Sequence, residues 1–322
     1  MAQQVAVPGT KARPQPRRKP RRGVRGVLKE MRREWTAYLM NAPGLILFVT
    51  FTLYAIIVSL WISFHDWDLI EPDRPFIGLG NYREVLGDGA FWAAIWHTVY
   101  FTVGSVLPAM AIGLGLALLL NTQMRALGVF RAMYYLPAIT PLVIAAIIWK
   151  WVYNADYGLA NYYLLRLGVI DDPVNWLGSR GLAMPAVMVM GIWISVGFNM
   201  IVYLAGLQAI PNELYEAADV DGASAWQRFR RITFPLVAPT TFFLLIVQTI
   251  WGMQAFDQIF VMTNGGPPGP GGATTTVVYY LWQQGFRFFR MGYASAMAYI
   301  LFALLFVVSF VQFRWYLKQV ER

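Results

Sequence analysis

The chain has 322 residues, of which 57% are hydrophobic and 13% charged, with no cysteine and a net charge of +9. Soluble domains carry about 25% charged residues, so this chain cannot clothe itself in polar surface, and lipid is its expected solvent. The missing cysteines exclude a disulfide framework, thiolate metal sites, iron–sulfur clusters and a cysteine nucleophile.

The positive charge is concentrated at the start. Eleven of the 26 Lys and Arg residues fall between Lys11 and Arg33, among Pro14, Pro16 and Pro20. Residues 1–34 therefore read as a disordered basic tail, and a topology signal near anionic lipid explains it better than nucleic-acid binding. A bilayer core of about 30 Å needs about 20 apolar residues as a helix. Trp35–Phe64 is free of charge, and Gly89–Met124 carries only His97. Ala132–Trp149, Gly181–Asn212, Ile232–Phe256 and Met291–Phe313 are also uncharged, which makes six expected spans. Gln258–Phe286 is uncharged too, but Asn264–Gly272 is a run of Gly and Pro that cannot hold a helix. The expected fold is an all-α integral membrane protein, with one transmembrane domain over residues 35–322.

Alternate loops and tails sum to 19 basic residues on one side of the membrane and 7 on the other. The richer side is expected to be cytoplasmic, and it includes both termini. Trp61, Trp67, Trp92, Trp96, Trp149, Trp151, Trp176 and Trp282 fall near span ends or in outer loops, as an interfacial aromatic belt would. The Gly113–Gly115 pair lies inside a span and reads as a place of close helix packing.

No G-x-x-x-x-G-K-[ST] phosphate loop occurs, so the chain is not expected to bind or hydrolyse ATP itself. His65 and His97 are the only histidines, and neither H-E-x-x-H nor G-x-S-x-G is present. Asp219 and Asp221 have metal-pair spacing but no second acidic cluster. No enzyme activity, metal or cofactor is expected in this chain.

The loop between the fourth and fifth spans, residues 210–235, reads as two short helices. Asn212 is placed to cap the first, with Glu213 and Glu216 near its positive end. Gly222 is expected to end it in a left-handed conformation. Ser224 and Gln227 make a capping box for the second, and Pro235 is placed at the start of the fifth span. The segment resembles the cytoplasmic EAA loop of binding-protein-dependent ABC importer permeases. Glu216-Ala217-Ala218, then three residues, Gly222, nine residues, Ile232 and Pro235 keep every spacing of that motif, with Asp221 just before the glycine. Phe234 replaces the leucine often found before the proline. Thr263–Pro267, Ala273–Val277 with Tyr279-Tyr280, Ile77–Tyr82 and Phe286–Ser295 resemble the carbohydrate branch, which includes maltose, lactose and glycerol-phosphate permeases.

That resemblance implies a type I importer permease fold and a location in a bacterial or archaeal inner membrane. It implies four kinds of partner: a second permease subunit, two ATPase subunits that hold ATP and magnesium, an external solute-binding protein and a sugar. It covers residues from about Pro43 to Arg314. Polar and aromatic residues within the spans need a reason for being there. Trp193, Ser195, Phe198 and Asn199 lie in the fourth span, and Gln248, Trp251, Gln254 and Asp257 in the fifth. Aromatic faces with amides and a carboxylate suit a sugar, and Gln254 and Gln258 would share a helical face. The same residues would also serve as hydrogen bonds between helices. By register, the resemblance places Trp251 at an aromatic substrate-lining position, while Gly252 and Ala255 stand where the family has asparagine. A secondary transporter would need coupling charges in the membrane, and Asp257 is the single candidate. Arg287 and Arg290 leave glycerol phosphate open as the cargo.

Overall fold

The computed structural model describes residues 35–70, 72–122, 127–266 and 272–320. The expected basic tail and the prolines of the outer Gly/Pro run lie outside these residues. The chain forms two compact units, one up to Val58 and one from Ser59 to Arg322. In the first unit the described residues are helical from Trp35. They form most of α1, the apolar span Tyr38–Ile62.

The second unit continues in chain order with α2 (Gly80–Gly87), α3 (Gly89–Leu120), α4 (Leu127–Ile139), α5 (Leu142–Val152) and α6 (Leu159–Arg166). Then come α7 (Ala183–Gln208), α8 (Asn212–Val220), α9 (Ala225–Met253), α10 (Asp257–Met262), α11 (Val277–Trp282) and α12 (Met291–Val320). Five of these helices, α1, α3, α7, α9 and α12, are long and apolar enough to cross a membrane unaided. A sixth span exists only if α4 and α5 count as one, and they are bent by 96°. The third expected span is thus broken. Pro141 causes the break: it lacks an N–H for the ladder, and it drives Thr140 out of helical geometry.

Three apolar clusters hold the second unit together. Toward one end, Met184, Val187, Met188 and Met190 of α7 pack with Ala145 and Ala146 of α5, Ile259 of α10 and Tyr279 of α11. Toward the other, Val106, Met110 and Ala117 of α3 meet Met200, Tyr203 and Leu207 of α7 and Val237 and Leu244 of α9. A third cluster joins Val85, Phe91 and Ile95 to Tyr293 and Met297 of α12. The α3–α7 crossing is close because Gly113 has no side chain: a Cβ there would lie 2.6 Å from Asn199 Cβ. Gly115 faces open space and does not share that role. Three of the tryptophans read as belt residues, Trp149, Trp176 and Trp282, are partly buried against the first cluster.

Candidate functional site

Residues of α3, α4, α5, α7, α9 and α10 line a cavity of about 320 Å³, and two helix breaks border it. One break is Thr140-Pro141. The other is Gln254–Phe256, where α9 stops at Met253 and α10 restarts at Asp257. Tyr135, Ala138 and Leu142 line the cavity from around the first break, and Trp251, Gln254, Phe256, Asp257 and Gln258 from around the second. Because the backbone turns at Phe256 (φ −134°, ψ −60°), Gln254 and Gln258 do not lie on one continuous helix. Both nonetheless reach the cavity.

Of the residues singled out from the sequence, Ser195, Phe198, Trp251, Gln254 and Asp257 line the cavity. Trp251 is 54% exposed, and its ring lies 5.4 Å from that of Phe198. Trp193 turns elsewhere, with its ring 5.8 Å from Trp149. Asn199 is fully buried, and its side-chain carbonyl accepts a 2.6 Å hydrogen bond from the Gln248 amide. For that pair, interhelical bonding describes what is seen. Sequence reasoning did not single out Ser105, Tyr135 or Phe256, which also line the wall. The cluster Pro137–Pro141 was the available signal for Tyr135, since a proline-broken span exposes the residues beside it. Among the described residues the lining holds one carboxylate, Asp257, and no Lys, Arg or His.

At the other end of α9 lies the hairpin made of α8 and the start of α9. Pro211, not Asn212, is its N-cap residue, and no side chain caps that end. Gly222 does adopt the left-handed conformation, with φ +72°. The Ser224–Gln227 capping box is present in both directions. The second helix does not stop. It runs through one wide π turn, Phe229–Thr233, into the span, so the span begins before Pro235 rather than at it. Ile232 lies in that turn, packed against the apolar cluster of Val106, Met200 and Val237. The Asp219 carboxylate pairs with the Arg228 guanidinium across the hairpin. Glu216, Ala217, Asp221 and Gly222 are exposed, whereas Ala218 is buried against its own chain. Val220 is 89% exposed and Trp226 65%, two apolar side chains that the described residues leave largely uncovered.

The opposite face is tied by a carboxylate. Asp88 caps α3 by accepting from Ala90 N–H at 2.8 Å, and also accepts the Tyr280 and Tyr293 hydroxyls at 2.7 Å each. Burial alone would raise its pKa, but these donors outweigh it and hold the carboxyl below its ordinary value of 3.8. Burial, with the neighbouring Asp88 charge, pushes the Tyr280 hydroxyl up to about 12. Beside this group Glu84 pairs with Arg290.

Residues 90–321 match the family described as the binding-protein-dependent transport system inner membrane component. The chain belongs to this family. It is 40% identical over 274 residues to the trehalose/maltose transport system permease protein MalF of Thermococcus litoralis, covering 85% of this chain and 90% of that one. Among solved structures, a bacterial ABC transporter involved in importing the acidic polysaccharide alginate is 26% identical, with a TM-score of 0.79. That match covers 91% of this chain and 99% of the other. A bacterial alginate ABC transporter in complex with an alginate pentasaccharide-bound periplasmic protein matches with a TM-score of 0.75 and 26% identity, over 88% and 94% of the two chains. The nearly all-helical architecture with five or six apolar spans is therefore that of a type I ABC importer permease. The chain is a transport component of an inner membrane.

Proposed function

We propose that the chain forms the translocation path for an uncharged sugar, and that its α8–α9 hairpin receives movement from a separate ATPase subunit. The observation that carries the cargo assignment is the cavity lining. Phe198, Trp251 and Phe256 offer aromatic faces, Gln254 and Gln258 offer amides, and among the described residues the Asp257 carboxylate is the sole charged group in the lining. An anion entering this space would meet a like charge and no compensating cation. Arg287 and Arg290 do not line it, and Arg290 is engaged by Glu84. That disfavours glycerol phosphate. The trehalose/maltose relative makes neutral disaccharides the first probes.

The partners of this reading are a second permease, two ATPase subunits holding ATP and magnesium, and an external solute-binding protein. The alginate transporter bound to its periplasmic protein supports the last of these. The basic-residue asymmetry of 19 to 7 supports placing the hairpin and both termini in the cytoplasm. The complete complex in vesicles, with binding protein outside, should take up maltose or trehalose when ATP is supplied and should ignore glycerol 3-phosphate. Uptake of the phosphate ester in preference to both disaccharides would overturn the cargo assignment. Orientation has its own test, made clean by the absence of native cysteine. A Thr10→Cys variant should resist an impermeant thiol reagent in intact cells and react once the membrane is opened. Labelling in intact cells would reverse the topology.

A further inference from the structure

The hairpin touches the rest of α9 in two ways, and they differ in strength. At its exposed rim Arg228 pairs with Asp219, with side chains 32% and 59% exposed. Solvent and salt screen such a pair, and its contribution is small. Deeper, the Tyr215 and Thr233 hydroxyls lie 3.0 Å apart. Thr233 is 5% exposed, and Tyr215 packs against the inner apolar cluster with Leu118, Ile232 and Val237. Thr233 closes the π turn, in which the Phe234 N–H reaches back to the Phe229 carbonyl. Pro235, which has no N–H, follows directly. A wide turn next to a proline is the least stiff point of a long helix.

Tyr215 and Glu216 are neighbours on α8, but Glu216 and Ala217 face outward and Tyr215 faces in. From Phe234 the chain stays α-helical to Met253, with Pro239 inside it, and Gln248, Trp251 and Gly252 of this stretch line the cavity. A displacement of α8 therefore reaches α9 at its π turn, through a partly buried hydroxyl pair. We propose that Tyr215 and Thr233 form a positioning strut. It makes α8 and the cavity-bearing part of α9 move together, so that ATPase movement is converted into cavity movement instead of being absorbed in the π turn. This rests on the coupling role proposed for the hairpin.

The test uses the complete complex in vesicles, with maltose uptake and ATP hydrolysis measured in the same preparation. Tyr215→Phe and Thr233→Val each remove a hydroxyl and change volume little. Each should leave assembly and hydrolysis near wild type and lower the sugar imported per ATP by roughly three- to tenfold, the range a lost hydrogen bond sets on a two-state equilibrium. Thr233→Ser keeps the hydroxyl and should restore the ratio. Asp219→Asn should change it by less than about twofold, as expected for a screened pair. The proposal is overturned if both hydroxyl variants keep the wild-type ratio, if uptake and hydrolysis fall in parallel, or if Thr233→Ser is as poor as Thr233→Val. Gly222→Val in the same assay separates the two levels. If it too behaves as wild type, the coupling role itself fails. If it uncouples while the hydroxyl variants do not, only the strut fails.

Discussion

The hairpin and the cavity sit at opposite ends of the same helix, α9, and they are specified in different ways. The turn of the hairpin is built from residues close in sequence: a left-handed glycine at Gly222, a reciprocal cap between Ser224 and Gln227, and an ion pair between Asp219 and Arg228. The cavity is assembled from α3, α4, α5, α7, α9 and α10, and residues beside two helix interruptions line it. Locally encoded geometry is rigid and can be copied between relatives as a motif. Geometry assembled from distant parts can change its lining residues one at a time, which suits a surface that must fit different solutes.

This contrast can be broken most severely at the hairpin. A Cβ on Gly222 would meet no atom within 4 Å, so substitution there is opposed only by its positive φ. That strain is about 1–2 kcal/mol, too small to unfold a bundle held by three apolar clusters. Gly222→Val is therefore expected to insert and fold, yet to abolish ATP-driven uptake by reorienting the exposed tip. Ala217→Trp should act similarly by crowding the face that a partner must reach. Ala218→Trp is a different test, because Ala218 is buried in its own chain and the change would first disturb the hairpin. Uptake and hydrolysis at wild-type levels in both Gly222→Val and Ala217→Trp would remove the coupling role.

A smaller effect is expected at the cavity, where one wall residue among many is changed. Trp251 is half exposed and makes its ring contact with Phe198, so Trp251→Ala removes a sugar-facing surface without opening the core. The concentration of binding-protein-loaded sugar needed for half-maximal uptake should rise, or the maximal rate fall, by roughly tenfold. Assembly should remain intact. Trp193→Ala is the contrast within the same span, because Trp193 packs on Trp149 away from the lining, and its uptake per assembled complex should be nearly unchanged. Equal transport defects in the two variants would mean that this cavity does not discriminate the path from its surroundings.

How much was legible follows the same division. The span positions were readable because lipid demands long uncharged helices, and the boundaries of α3 and α12 begin where the charges stop. The capping box and the left-handed glycine were readable because their physics is confined to a few consecutive residues. Several departures concern continuity: Ala132–Trp149 reads as one span although Pro137 and Pro141 lie in it, Pro235 reads as the start of the fifth span although the hairpin's second helix runs straight into that span, and Gln254 and Gln258 read as sharing one helical face. Uncharged composition cannot distinguish a straight span from a bent one, because either satisfies the membrane if the freed backbone groups find partners. Whether an apolar-flanked asparagine bonds a neighbouring helix or faces a cavity depends on rotation about the helix axis. Asn199 is bonded to Gln248 as a result of a packing arrangement that the residues around it do not encode locally.

The mildest expected effect lies at neither end of that comparison, and this makes it a useful control. Asp88 joins α3 to α11 and α12 through the Tyr280 and Tyr293 hydroxyls, far from the hairpin in sequence and absent from the cavity lining. Its carboxyl is held below 3.8 in the folded protein because three donors stabilise the charged form against the cost of burial. A carboxylate with a depressed folded pKa stabilises the fold fully above its unfolded value, and that stabilisation is lost as pH falls through the folded one. Thermal stability of the purified chain should therefore be insensitive to this group at neutral pH and should decline below about pH 4. Asp88→Asn keeps an acceptor but not the charge, so it should be less stable than wild type at neutral pH by about 1 kcal/mol. The two proteins should converge as the medium is acidified. Import at neutral pH should change by less than about twofold, because no proposed path of force or solute crosses Asp88. Convergence in stability together with retained import would identify this group as a tie of the outer helices alone. A large loss of import in a stable Asp88→Asn complex would show that the end of the bundle around Asp88 takes part in transport along with the hairpin and the cavity.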